Sequence, residues 1–284
     1  GTIVTISVGD QPGAEEAVDR AFQWFRDVEA RCSRFDPSSE LMLLTQKVGS
    51  AVVVSDLLFE AVKFAIEMAA HTAGAFDPTI GHSMQARGFD REHRSGARVP
   101  TRVDSDDDVS YRDVECDLGA RTITLRRPLV LDLGGVAKGL AIDMAARELR
   151  LCRNFGIDAG GDLYLGGKNP SGEPWTIGIR HPREDGALID VLLAADQAVC
   201  TSGDYERQTE AGHHILDPRS GQPADTVASV TVVGPTAMLA DAAATAAFVL
   251  GPDEGLALCE GLGLEALIVT TNLDLRKTPG LRRQ

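Results

Sequence analysis

No apolar run in the sequence reaches the roughly 20 residues that a membrane-spanning helix needs, and no signal-peptide pattern precedes the first predicted strand. No transmembrane segment is therefore expected in the numbered chain. Cysteine is sparse: Cys32, Cys116, Cys152, Cys200 and Cys259 are odd in number, widely separated and without a C-x-x-C pair. Such spacing resembles reduced thiols rather than a disulfide framework, which points to a cytoplasmic compartment. Positive charge is in deficit, with 28 Lys and Arg against 42 Asp and Glu and a net charge of −14. That field repels nucleic acid and anionic membrane surfaces, so no nucleic-acid partner is expected. Any anionic ligand must be held by local donors or by a cation. The segment DSDDDVSYRDVE (104–115) lacks the glycine and terminal glutamate of a calcium loop and reads as a solvated loop. Internal repeats and disorder-type composition are also missing. With 284 residues, 43% of them hydrophobic, the chain has enough apolar surface for a substantial core in one large domain.

What is there alternates helical and extended patterns. TIVTISVG (2–9) alternates like an edge strand, and residues 14–35 carry Val18, Phe22, Phe25 and Val28 at helical spacing. A second helix is predicted over 55–74, with Ser55 as N-cap, a stripe through Leu58, Val62 and Ile66, and Gly74 as its stop. Residues 84–115 are polar and read as a surface excursion. TITLRRPLVLDL (122–133) suggests two short strands around a turn, followed by a helix from about Lys138 to Leu149. DLYLGG, WTIGIRH, SVTVVG and EALIVTT read as strands. The nearly all-apolar TAMLADAAATAAFVLG (236–251) reads as a core helix. Strands and helices mix too irregularly for a doubly wound sheet, so the expected fold class is α+β.

Five patches carry possible chemistry. DLGGVAKG (132–139) fits neither a dinucleotide fingerprint nor a Walker loop. Its paired glycines let backbone approach a ligand ahead of a helix start that attracts anions, and Lys138 adds charge; a tight structural turn explains it equally well. AFDPTIG (75–81) contains an Asp-Pro turn, usually structural. DAGGDLYLGG (158–167) is a glycine-rich link between strands, either a bulge or a close backbone approach. Residues 200–224 gather Ser202, Asp204, Tyr205, Glu206, Arg207, His213, His214 and Asp217. Adjacent histidines in an extended chain point to opposite sides, so one of the two faces any site and can move a proton near neutral pH. Asp241 and Thr245 are four apart on the core helix, with carboxylate and hydroxyl one above the other. Buried, that acid needs a partner such as Mg²⁺; the alternative is Asp241 at the surface with Thr245 capping a helical carbonyl.

Taken in order, GT at residues 1–2, SRFDPSSELMLL, AFDPTIG, DLGGVAKGLAID, DAGGDLYLGG, TSGDYER, HHILDPRSGQP and SVTVVGPTAMLADAAATA resemble the ApbE family of FAD:protein FMN transferases from Gly1 to about Thr271. The resemblance implies an ApbE-like, T-fold-related architecture of mixed sheets and packed helices, one domain over 1–284. It implies binding of FAD and Mg²⁺-dependent transfer of FMN to a Thr or Ser hydroxyl of an acceptor protein, with release of AMP. By the same resemblance, Asp241, Thr245 and the Ala137 carbonyl hold the metal. Phe35, Ala75, Phe76, Asp77, Gly134, Lys138, Asp143, His214 and Ile215 line the FAD site, with Phe35 beside the isoalloxazine ring. His214, which begins the family's H-I-x-D-P motif, is the acid/base. The alternatives are an Mg²⁺-dependent FAD pyrophosphatase giving FMN and AMP, and a flavin-binding carrier without chemistry. Relatives in this family often act outside the cytoplasm, so export with membrane anchoring through a segment outside the numbered chain is the alternative compartment.

Overall fold

The computed structural model describes residues 2–9, 11–90, 98–99, 108–206, 208–209 and 212–284. Gly1, Arg207 and residues 104–107 of the aspartate-rich segment lie outside the described residues. Among the described residues the helices are α1 (Ala14–Cys32), α2 (Glu40–Thr45), α3 (Asp56–His71), α4 (Gly81–Ala86), α5 (Ala137–Glu148), α6 (Ala237–Leu250) and α7 (Pro252–Gly261). None is long and apolar enough to cross a membrane. The mixture of helix and antiparallel sheet is the α+β class expected from the sequence. The chain gathers into two compact units, each built from separated stretches: Arg26–Ala137 with Gln208–Pro223, and Thr2–Phe25 with Lys138–Arg207 and Ala224–Gln284.

In the first unit, α3 begins at Ser55, whose hydroxyl accepts the Leu58 N–H as an N-cap, and it buries Leu58, Phe59, Val62 and Ala65. It ends at His71, before Ala73 and Gly74, both at positive φ. A small antiparallel sheet orders Val52–Val53, Thr122–Leu125 and Val114–Asp117. The second strand expected in TITLRRPLVLDL does not form a ladder: Leu129, Val130 and Leu131 are fully buried, but only a parallel bridge joins Val130 to Ile80. That bridge lays AFDPTIG beside LVLDL. The Asp132 N–H donates to the Pro78 carbonyl at 2.7 Å, and Gly81 passes so close that a Cβ there would stand 2.5 Å from the Val130 oxygen. Within 84–115, Met84, Val99, Tyr111 and Val114 are buried, so the polar composition conceals anchors that periodicity could not find. The HHILDPRSGQP motif forms parts of two minimal hairpins, Gln208–Thr209 with Gly212–His213 and Leu216–Asp217 with Gln222–Pro223.

The second unit is a seven-stranded antiparallel sheet in the order Val4–Val8, Phe155–Ala159, Asp162–Gly166, Gln197–Gly203, Val227–Gly234, Glu265–Thr270 and Leu275–Lys277. Val227–Gly234 is buried along its whole length, which requires cover on both faces. Strand alternation divides that cover. Val199, Val233 and Leu267 face the hairpin Trp175–Arg180/Leu188–Ala194, packing on Ile177, Ile179 and Leu192. Cys200 and Ser202, of opposite parity to Val199, face α6: the Cys200 thiol lies 3.6 Å from the Ala237 carbonyl, and the Ser202 hydroxyl 3.3 Å from that of Thr245. Helix α6 is therefore the deep helix its composition predicts, with Ala240, Ala243, Ala247 and Phe248 fully buried.

Candidate active site

Apart from Ala137, which ends the Arg26–Ala137 stretch of the first unit, the expected site residues fall into two groups, one inside each unit. In the first unit they surround Arg34. Its guanidinium Nε donates to Asp132 Oδ2 at 2.6 Å and Nη2 to the Phe89 carbonyl at 2.7 Å, while Cζ lies 4.1 Å over the Phe35 ring. Arg34 is only 4% exposed, so this pair is strongly coupled. The other oxygen of Asp132 accepts the Gly134 N–H at 2.7 Å. The glycine turn is thus built by its own aspartate, and the N–H of Gly134 is committed within it. One face of Phe35 is covered by Arg34. The Phe89 ring meets His214 edge-on, with centroids 6.3 Å apart. Nδ1 of the neighbouring His213 accepts the Ile215 N–H at 3.2 Å. Ile215 is buried.

Ala75 and Phe76 are buried where α3 ends, and the Phe76 N–H donates to the Thr72 hydroxyl. The Asp77 carboxylate is consumed locally. Oδ1 accepts the N–H and hydroxyl of Thr79 at 2.9 and 2.7 Å, and Oδ2 accepts the Tyr111 N–H at 3.0 Å. Burial raises the Asp77 pKa, and these donors only partly pull it back. Asp77 also borders a small cavity of about 180 Å³ shared with His82, Tyr111, Arg112 and Arg219.

The second group lies on α5, α6 and the strand Gln197–Gly203. Asp241 is 4% exposed, which excludes the surface alternative, and Thr245 is half-buried beside Ser202. Lys138 Nζ lies 2.5 Å from Asp162 Oδ2, and Asp162 Oδ1 accepts the Thr201 N–H at 3.0 Å. Burial opposes the charge on Lys138, but the charges of Asp241 and Asp162 outweigh it and raise its pKa. The same negative surroundings, added to complete burial, hold the Cys200 thiol protonated. Ala137 begins α5, next to Lys138. Asp143, on the same helix, accepts the N–H groups of Ala237 and Met238 at 2.7 and 3.0 Å; burial pushes its pKa up to about 6 against those donors.

Arg34, Phe89 and Asp162 were not singled out from the sequence. Arg34 and Asp162 sit inside recognisable motifs, but nothing in their spacing separates a buried ion-pair member from a solvated one. Phe89 lies in a stretch whose polarity hides it.

Among the described residues no group of three or more His, Cys, Asp or Glu is placed to hold a metal ion. The oxygens at α6 are of another kind: the buried Asp241 carboxylate and the Thr245 hydroxyl on the helix, with the Ser202 hydroxyl on the facing strand beside Thr245, all hard donors. They fit a divalent cation that completes its shell with substrate phosphates and water. Beside Lys138, such hard oxygens form a donor set suited to a phosphate-bearing ligand and its cation. The sequence pattern of the ApbE family matches residues 1–268, and the chain belongs to that family. It is 31% identical to the FAD:protein FMN transferase of Vibrio cholerae, over 96% of this chain and 86% of the relative, and 32% identical to that of Treponema pallidum, over 99% and 85%. Among solved structures it resembles the ApbE protein of Thermotoga maritima, with TM-score 0.87, 32% identity and coverage of 98% and 94%. The flavin transferase ApbE from Vibrio cholerae gives TM-score 0.82 at 27% identity, covering 98% and 96%.

Proposed function

We propose that the protein is an FAD:protein FMN transferase that moves the FMN half of FAD to a Thr or Ser hydroxyl of an acceptor protein and releases AMP, in a reaction that requires Mg²⁺. The observation that carries this reading is the buried Asp241 carboxylate on α6, one turn from Thr245, whose hydroxyl meets that of Ser202, in a chain whose net charge repels a diphosphate. Asp241, Thr245 and the Ala137 carbonyl would hold the cation. When bound, Mg²⁺ neutralises the pyrophosphate and stabilises charge developing on its oxygens. Lys138, held by Asp162, adds a fixed positive charge beside Asp241. Phe35 and the Ala75–Asp77 turn orient the flavin nucleotide, with Gly134 and Ile215 completing its walls. His214 accepts the proton of the incoming hydroxyl. The hydroxyl oxygen forms a new bond to the FMN-side phosphorus as the bond to AMP breaks in line. We further propose that residues 1–284 act as one transferase domain, because neither unit is a continuous stretch that a single cut would release.

The test is incubation of the protein with FAD, Mg²⁺ and a threonine-bearing acceptor, followed by gel fluorescence and nucleotide analysis. Flavin fixed covalently to the acceptor with equimolar AMP is the expected result. FMN and AMP without labelled acceptor would mean a pyrophosphatase, and unaltered FAD would mean a carrier.

A further inference from the structure

Helix α6 presents Asp241 and Thr245 from its second and third turns, yet its own start is not capped by its own chain: Thr236, at the N-cap position, makes no side-chain cap bond. The cap comes from α5. Oδ1 and Oδ2 of Asp143 each take one N–H of the first turn of α6, those of Ala237 and Met238, at 2.7 and 3.0 Å. Four residues earlier, on the same face of α5, Gly139 meets the same two residues. A Cβ on Gly139 would stand 2.5 Å from Met238 N and Cα and 2.6 Å from Ala237 C. Those neighbours are backbone, so the clash cannot be relieved by a side-chain rotation.

We propose that Gly139 and Asp143 form a clamp on the first turn of α6 that fixes where Asp241 and Thr245 stand relative to Lys138, and that Asp143 acts as a positioning residue rather than as a flavin ligand. The glycine lets the two backbones touch, and the aspartate locks the helix against sliding or rotation at that contact. Both carboxylate oxygens are engaged at the start of α6, which fixes the direction in which the Asp143 carboxylate points. A rotation of one residue in α6 would turn the Asp241 side chain by about 100°. Metal affinity is therefore the quantity most exposed to loss of the clamp. This inference rests on the Mg²⁺ reading given above.

The experiment measures Mg²⁺ binding by titration calorimetry and FAD binding by flavin fluorescence in EDTA, on the full chain carrying Asp143→Ala, Asp143→Asn, Gly139→Ala or Asp241→Ala. Asp143→Ala and Gly139→Ala are expected to raise the Mg²⁺ dissociation constant by at least about tenfold, the scale for lost supporting contacts around a metal, with FAD affinity unchanged. Asn keeps one acceptor and the side-chain shape, so Asp143→Asn should recover most of the Mg²⁺ affinity. It also tests the proposal if the Ala variants fail to fold. Loss of FAD binding with Mg²⁺ affinity intact in Asp143→Asn or Asp143→Ala would make Asp143 a flavin ligand and overturn the clamp. Wild-type Mg²⁺ affinity in both Asp143→Ala and Gly139→Ala would overturn it as well. If Asp241→Ala itself leaves Mg²⁺ binding untouched, the metal reading falls; if Asp241→Ala abolishes binding while the Asp143 and Gly139 variants do not shift it, only the clamp falls.

Discussion

A carboxylate as enclosed as Asp241 keeps its charge only beside a cation, and in this protein Lys138 already answers to two acids, Asp162 and Asp241. One ammonium between two carboxylates leaves the cluster net negative, the condition under which a divalent ion adds most. Asp241→Ala is therefore expected to reduce Mg²⁺-stimulated AMP release from FAD by at least about a hundredfold, the scale of losing a principal electrostatic group. Steady-state assays over a Mg²⁺ series check this, and an unchanged Mg²⁺ dependence would remove Asp241 from the metal site. Arg34 makes a different kind of pair. With Arg34 removed, Asp132 is left partly buried without that guanidinium, and the Gly134 turn it shapes loses its anchor. Arg34→Ala should cost about 3 kcal/mol of unfolding free energy, measured by denaturant titration; a cost within error of zero would mean that solvent replaces the guanidinium. Asp143 gives a pH signature. Its folded pKa of about 6 lies above the unfolded value of 3.8, so its favourable contribution is complete below the unfolded value and lost as pH rises through about 6. The Tm of Asp143→Asn relative to wild type should accordingly rise between those two pH values, and a flat difference would show that the carboxylate is not held at a raised pKa.

Elements were legible where one physical signal dominated. Helix α3 announced itself through a serine cap and an apolar stripe, and both are present, with Glu40 of α2 accepting the Ser55 N–H from across the intervening turn. Ser55→Ala should then destabilise the protein by about 1 kcal/mol or somewhat more, since it removes a cap and a tie to α2 together; equilibrium unfolding measures the loss, and no change would make the cap idle. Helix α6 was legible by composition alone. The short helices α2 and α4 were not, because six residues hold fewer than two turns and produce no period. The segment Leu129–Leu133 looked like a strand because it is apolar, but apolarity reports burial rather than ladder pairing, and only Val130 makes a bridge. In the candidate site, the shared helix of Asp241 and Thr245 was legible because four-residue spacing within one helix has geometric meaning. The Arg34–Asp132 and Lys138–Asp162 pairs were not, because 98 residues separate one pair and the helix-to-strand return hides the other. Sequence spacing carries no information about contacts that a fold makes at a distance.

For the molecule as a whole, a net charge of −14 must be reconciled with a dianionic diphosphate substrate. The global field slows the approach of FAD, while at the proposed site Lys138 and the cation would supply affinity locally after encounter. Salt separates these contributions, because it screens the long-range repulsion at distances where the buried cluster is not yet felt. Between ionic strengths of about 0.01 M and about 0.15 M the Debye length contracts from about 30 Å to about 8 Å. The FAD association rate constant, followed by stopped-flow flavin fluorescence at fixed Mg²⁺, should therefore rise with salt over that range, while the dissociation rate changes little. An enzyme that gathers its anionic substrate through a basic funnel behaves in the opposite way, with association falling as salt is added. A falling association rate here would mean that a local positive patch, rather than the net charge, governs encounter, and Lys138 with the proposed cation would then have to act at long range as well as in the bound complex.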